Sequence, residues 1–357
     1  MQFWSEIIMS FSVGIVGLPN VGKSTLFKSL TKKDVEIAPY PFTTIHPNVG
    51  IVTVPDERLL QVAKIIKPEK VTPTVIEFVD IAGLIKGAYK GEGLGNQFLA
   101  HIRNCDAILE VIRCFADPNV ENILGEINPE KEIGILQVEL LMKDLETLEN
   151  LISKMDATHP PPIKEKDKKN SKKIGILKKI KEEISKGKPI SEINLNLEEK
   201  SEIKEYQFLT QKPILHILNT NDKTQYSTPG VEYLRMNLKE EEEISEFSEG
   251  EIKELGLKSQ LDRLIKACYN ILDLITFFTV AGGQETRAWT VKRDERAPQA
   301  GGSVHSDFEK KFIRAEVIPW QKLAEVGSWS KAREKGSLQI VGKDYIVQDG
   351  DVIEFKI

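Results

Sequence analysis

Cysteine is scarce in this chain: Cys105, Cys114 and Cys268 are the only three among 357 residues. They form no CxxC pair and no Cys/His cluster, so neither a disulfide framework nor a zinc site is indicated. Thiols of this kind suit a reducing cytosol, and a cytoplasmic protein is expected. Long apolar runs are missing as well. None approaches the roughly 20 residues of a membrane span, so no membrane partner is expected. The stretch Met1 to Ser10 carries Glu6 and lacks the basic start and cleavage pattern of a secretory leader, with Met9 as an alternative start. Positive charge is not in excess: 49 Lys and Arg stand against 54 Asp and Glu, a net charge of −5. A protein basic all over is thereby excluded, although a local basic patch for RNA is not.

What is present is an ordinary globular composition, 40% hydrophobic and 29% charged. The length exceeds one compact core and implies two or three domains. β-rich runs at Phe11–Val16, Val49–Val54, Val75–Asp80 and Ala107–Ile112 alternate with helical spacing at Ser24–Leu30, Asp56–Ile66 and Asn96–Asn104. That alternation predicts an α/β, doubly wound parallel sheet. From Glu130 to Ile152 the apolar positions become strongly helical, and a second helical stretch is expected over 197–209. Between them lie Pro160-Pro161-Pro162 and a lysine-rich run from Lys164 to Lys181, read as the solvated connection of a helical hairpin. The sheet pattern resumes at Pro213–Asn219. The last third holds a helix over 262–274 and then short strands separated by Gly342-Lys343-Asp344 and Asp349-Gly350-Asp351, a small α+β domain. Trp289, His305, Phe308 and Phe312 there are read as packing rather than as a binding surface.

Gly17-Leu18-Pro19-Asn20-Val21-Gly22-Lys23-Ser24 matches GxxxxGK[ST] between a strand and a helix. Glycines allow backbone N–H groups to curl around phosphates, and the helix N-terminus adds positive potential. Lys23 is expected on the β- and γ-phosphates and the Ser24 hydroxyl on Mg²⁺, with Asn20, Val21, Gly22 and Thr25 completing the cradle. Asp80-Ile81-Ala82-Gly83 ends a β-rich run and has the form of a DxxG switch. Its acid supports Mg²⁺, and the Gly83 N–H meets the γ-phosphate. In Tyr40-Pro41-Phe42-Thr43-Thr44 either threonine suits the Mg²⁺ shell. Leu84 follows the DxxG, where many GTPases place a water-orienting glutamine, so intrinsic hydrolysis is expected to be slow. Lys86 to Gly95 is glycine-rich and charged and is expected to act as a switch that orders on the γ-phosphate. The base-reading position holds Asn219-Thr220-Asn221-Asp222 in place of NKxD. Asp222 retains the guanine-reading acid while Thr220 replaces the lysine, which leaves ATP and GTP both open. Ser245 completes the candidate nucleotide-binding set.

These segments together resemble the YchF/Obg-like ATPase family. GIVGLPNVGKSTLF (Gly14–Phe27), YPFTTIHPNVG (Tyr40–Gly50), FVDIAGLIKGAYKGEGLGNQFL (Phe78–Leu99), the helical insert and the C-terminal AGGQETRAWTV, AGGSVHSDFEKKFIRAEV and YIVQDGDVIEFK carry the likeness along nearly the whole chain. The resemblance implies a P-loop NTPase domain over 11–128 and 212–275, an inserted α-helical domain over 129–211 and a C-terminal ubiquitin-like TGS domain over 276–357. It implies Thr44 as the Mg²⁺-binding threonine and ATP as the favoured nucleotide. Family members usually carry an NxxE form where this chain has Asp222, so GTP remains the alternative. The likeness further implies Asn20 as a holder of K⁺, and His101 and Gly83 as participants in catalysis. It implies a monomer and a ribosome or ribosomal RNA partner. The function expected is that of a slow, Mg²⁺-dependent, translation- or stress-related switch. A nucleotide-sensing binding module with incidental hydrolysis is the alternative.

Overall fold

The computed structural model describes residues 11–32, 48–81, 95–157, 165–221, 233–281 and 283–357. In chain order the strands are β1 (Ser12–Val16), β2 (Val49–Thr53), β3 (Lys70–Thr72), β4 (Val75–Asp80), β5 (Ala107–Cys114), β6 (Ile214–Thr220), β7 (Tyr233–Met236), β8 (Leu274–Ala281), β9 (Glu285–Lys292), β10 (Arg314–Pro319), β11 (Gln339–Val341) and β12 (Asp351–Lys356). The helices are α1 (Lys23–Lys32), α2 (Glu57–Ile66), α3 (Gly95–Asn104), α4 (Pro129–Ala157), α5 (Glu165–Ser185), α6 (Leu197–Ile203), α7 (Leu238–Ile244), α8 (Glu249–Glu254), α9 (Leu261–Ile271), α10 (Ala297–Val304), α11 (Ser306–Lys310), α12 (Trp320–Val326) and α13 (Trp329–Glu334). Contacts gather these elements into one unit within Ser12–Ser29 and Phe78–Lys258 and another within Leu30–Glu77 and Ser259–Ile357. Among the described residues no helix is long and apolar enough to cross a membrane.

The first sheet has the order β2-β4-β1-β5-β6-β7, and β1, β5, β6 and β7 pair in parallel. Its centre is apolar because β5 is covered on both faces and buried along its whole length, as parallel strands between helix layers must be. The chain turns to opposite sides of β1 when it runs to β4 and to β5. That reversal opens a crevice at the carboxyl ends of the strands, where the phosphate loop follows Val16.

Between β5 and β6 the helices α4, with 29 residues, and α5, with 21 residues, form the hairpin. Leu141, Leu148, Leu177, Ile180 and Phe208 are buried in its core. The second arm of the hairpin is therefore the lysine-rich run itself, and 197–209 contributes only α6 and short 3-10 turns. Two features explain the difference. Ile176, Leu177, Ile180 and Ile184 return on one helical face and are all buried. The lysines around them meet acids: Lys178 with Asp156, Lys179 with Glu199, Lys181 with Glu149 and Lys173 with Glu205. Asp144 on α4 closes the base of the hairpin, accepting from the backbone N–H of Leu209 and Thr210 and from the Thr210 hydroxyl at 2.8–2.9 Å.

In the other unit the second sheet runs β11-β10-β12-β8-β9-β3. One face buries Phe277, Trp289, Phe312 and Phe355 beneath α10, and the other buries Leu59, Phe278, Ile318 and Leu323 beneath α2 and α12. Trp289 and Phe312 are thus core residues, Phe308 packs against them, and the His305 Nδ1 accepts the Asp307 N–H at the start of α11. Strand β3 joins this sheet in parallel with β9, with Val71 opposite Thr286. Arg58 at the start of α2 forks between Asp56 at 2.8 Å and Asp349 at 2.7 Å, over the Phe278 ring.

Candidate functional site

The phosphate loop is shaped by close approach. Gly17 has φ 145°, and a Cβ there would lie 2.3 Å from the Val111 carbonyl oxygen. Gly22 has φ 107°, and its Cβ would lie 2.5 Å from Asn219 Nδ2. Both positions demand glycine, by conformation and by space. Asn20 adopts φ 62°, the left-handed region that asparagine tolerates best after glycine. Helix α1 begins at Lys23, so its first N–H groups point into the loop.

The loop is held from two sides. Asn219, at the end of β6, donates from Nδ2 to the Val21 carbonyl at 2.9 Å and accepts the Leu238 N–H at 3.2 Å. One buried amide therefore joins the phosphate loop to the start of α7. The Asn20 side chain donates to the Glu121 carbonyl at 3.4 Å. Lys23 is buried, and its ammonium donates to the Leu18 carbonyl at 2.8 Å. Burial pushes its pKa down, while Asp80 and Glu132 hold it up. The Ser24 hydroxyl lies 3.3 Å from Asp80 Oδ2. Burial raises the Asp80 carboxyl above its ordinary range against the opposing pull of Ser24 and Lys23.

The structure thus brings together Asn20, Val21, Gly22, Lys23, Ser24, Asp80 and Asn219. Thr25 stands next in α1, where its carbonyl accepts the Ser29 hydroxyl. Ser245 ends α7 with its hydroxyl on the Glu242 carbonyl at 2.7 Å. His101 is exposed on α3, at the border of the stripe formed by the buried Phe98, Leu99 and Ile102. Thr43, Thr44, Gly83, Leu84, the switch segment up to Leu94 and Asp222 lie outside the described residues.

Several charged groups near this edge escaped the reading of motifs. Glu110 and Arg113 interrupt the apolar β5, and both are buried. Glu110 faces His216 of β6 across the ladder, with Oε2 and Nδ1 2.8 Å apart, and burial raises its carboxyl pKa. Glu132, in the first turn of α4, accepts the Arg113 N–H at 3.1 Å. Burial pushes its carboxyl up to about 7, aided by Glu110 and opposed by the Arg113 N–H, the Arg113 charge and Lys23. The readable signal was a charge inside a buried strand, which is tolerated only with partners.

A family model described as 50S ribosome-binding GTPase matches residues 12–146, and the YchF-GTPase C-terminal model, described as protein of unknown function (DUF933), matches 274–357. A protein of Bacillus subtilis (strain 168) named ribosome-binding ATPase YchF is 44% identical over 369 residues, covering 98% of this chain and 99% of that protein. Its namesake in Escherichia coli O157:H7 is 43% identical over 364 residues, covering 97% and 99%. The structure of the Schizosaccharomyces pombe YchF GTPase superposes with a TM-score of 0.85 at 34% identity, covering 97% of this chain and 98% of that one.

Proposed function

The chain belongs to the YchF family of P-loop nucleoside-triphosphatases, and from that premise we propose that it binds ATP with Mg²⁺, hydrolyses it slowly and works as a ribosome-associated switch. The observation that carries the proposal is the meeting of Lys23, Ser24 and Asp80 at the carboxyl edge of the first sheet, with the Ser24 hydroxyl 3.3 Å from the Asp80 carboxylate.

A hydroxyl and a half-buried carboxylate are hard oxygen donors of the kind Mg²⁺ takes, and a cation beside Asp80 relieves the burial that raises its pKa. Bound there, Mg²⁺ would supply positive charge to offset the negative charge that develops on the phosphate oxygens. Ser24 and Asp80 would hold it together with Thr44. Lys23 places its ammonium on the β- and γ-phosphates, and the N–H groups of residues 20–25 surround the phosphate chain. Gly83 supplies an N–H to the γ-phosphate. His101 is proposed to orient or polarise the attacking water, a role that the apolar Leu84 cannot fill. Asn20 suits K⁺ as well: its Nδ2 faces the Glu121 carbonyl, which leaves Oδ1 as an oxygen donor. Asp222, Asn219 and Ser245 are proposed around the base and sugar, with ATP favoured because Thr220 stands where a guanine-reading lysine is usual.

The bacterial relatives are named ribosome-binding ATPases. For this chain a ribosome or ribosomal RNA partner, a cytoplasmic location and a monomeric state are proposed on that likeness. The proposed domain division is 11–128 with 212–275 for nucleotide, 129–211 for the helical insert and 276–357 for a TGS domain. Competitive binding of ATP, GTP and their diphosphates, repeated with Asp222→Glu, tests the nucleotide. GTP binding far more tightly than ATP would sink the assignment. Turnover in K⁺ against Na⁺, with and without ribosomes, tests the reaction. No turnover under any of these conditions favours the nucleotide-sensing module, whose output runs through the helical or C-terminal domain.

A further inference from the structure

Arg113 is a buried cation held by carbonyl groups. Its Nε donates to the Phe115 carbonyl at 3.2 Å, Nη1 to that of Glu121 at 2.8 Å, and Nη2 to those of Val120 at 2.9 Å and Asp117 at 3.5 Å. The guanidinium also lies 4.5 Å from the centroid of the Phe115 ring. Its own backbone is fixed by Glu132. A guanidinium is costly to bury, and packing alone would be served by an apolar side chain of similar length. What this fork accomplishes is the shape of the loop after β5, which has no ladder or helix of its own to order residues 115–121.

That loop meets the phosphate site at the Glu121 carbonyl. The Glu121 carbonyl oxygen, bound by Arg113, is also the acceptor for Asn20 Nδ2. A carbonyl can only accept, so it dictates which end of the Asn20 amide turns toward it. The nitrogen goes to Glu121, and Oδ1 is the atom left to a ligand. The left-handed backbone of Asn20 fixes the root of the same side chain.

We infer that Arg113 is a positioning residue for the phosphate loop: by fixing the Glu121 carbonyl it sets the orientation of the Asn20 amide and presents its oxygen to a monovalent cation. The functional half of this inference rests on Asn20 as a cation ligand; the coupling between residues 115–121 and the phosphate loop does not.

The test uses the full chain with Arg113→Gln, Arg113→Lys, Asn20→Ala and the double variant Arg113→Gln/Asn20→Ala. Hydrogen exchange is followed in the segments 18–23 and 115–122, and the K⁺ concentration for half-maximal turnover is measured beside thermal stability. With Arg113→Gln, exchange quickens in both segments and the K⁺ requirement rises by about fivefold or more. Arg113→Lys, which reaches fewer carbonyls, falls between it and the wild type. In the Asn20→Ala background, Arg113→Gln changes the K⁺ response no further. Faster exchange confined to 115–122, with a lower melting temperature and an unchanged K⁺ requirement, would overturn the inference and leave Arg113 a purely structural residue. If wild-type turnover ignores K⁺, the cation reading of Asn20 fails, and exchange in 18–23 alone decides whether Arg113 positions the loop. If Arg113→Gln does not fold, Arg113→Lys carries the same measurements.

Discussion

Gly22 and Asn219 are 197 positions apart in sequence and within one atom of collision in space, and that proximity sets what each can tolerate. In Gly22→Ala the new Cβ meets Asn219 Nδ2 at 2.5 Å and Leu238 Cδ1 at 3.2 Å, at a φ of 107°. The loop must shift, at a cost of about 1–3 kcal/mol of strain. Nucleotide affinity should fall by roughly tenfold to a hundredfold in calorimetric titration. Asn219→Ala leaves the Val21 carbonyl and the Leu238 N–H without their partner, which costs about 1–3 kcal/mol in urea unfolding. Because the amide braces the loop, ATP and GTP affinities should decline together in this variant. A selective loss of one nucleotide would show that Asn219 also discriminates between the bases. The motif already marked both residues for nucleotide binding. Spacing alone did not disclose that the Asn219 amide is engaged by the protein, because that bond depends on how β6 ends beside the loop.

Helices α4 and α5 teach a related lesson at the scale of elements. Lysine density was read as solvation, but lysine is a good helix former, and four well-spaced apolar residues were enough to bring α5 onto α4. Opposite charges on α4 and α6 then met the lysines, a pairing invisible until the hairpin is closed. These pairs are partly exposed, so each contributes little to stability. Their consequence for partners is larger. Lys179→Gln with Lys181→Gln should leave the salt dependence of ribosome or RNA binding nearly unchanged, since a lysine bound to phosphate contributes about one unit to that slope. A drop of two units would show that the pairs open to meet RNA. The base of the hairpin depends instead on Asp144, which is fully buried with three donors around it. Asp144→Ala strands all three and should cost about 3 kcal/mol or more in chemical denaturation. Asp144→Asn, retaining one acceptor oxygen, should recover part of that loss.

Over the whole molecule, strand and helix alternation conveyed the first sheet and the position of the phosphate loop, since those features follow from local periodicity. It conveyed no partner for β3, nor the pairing of Arg58 with Asp349 across 291 positions, because neither leaves a local trace. Buried charge is the other property that only the assembled protein has, and it makes stability depend on pH in a definite direction. Burial raises the carboxyl pKa of Glu110, Glu132 and Asp144 in the folded state. A raised acid keeps its proton when folded and releases it when unfolded, so the unfolded chain binds fewer protons between the two values. Stability from such a group is greatest below the unfolded pKa and declines as pH rises through the folded one. For Glu132 the window runs from the ordinary glutamate value of 4.5 to about 7. Across it the protein should lose about 3 kcal/mol from this group. Glutamine keeps the acceptor for the Arg113 N–H without a charge to bury. Urea unfolding of the wild type and Glu132→Gln from pH 5 to 8 therefore separates the two: the variant's curve should be flatter and its midpoint higher at pH 8. Parallel curves would mean that Glu132 is ionised in the folded protein throughout, its charge held by Arg113 and Lys23 more strongly than burial opposes it.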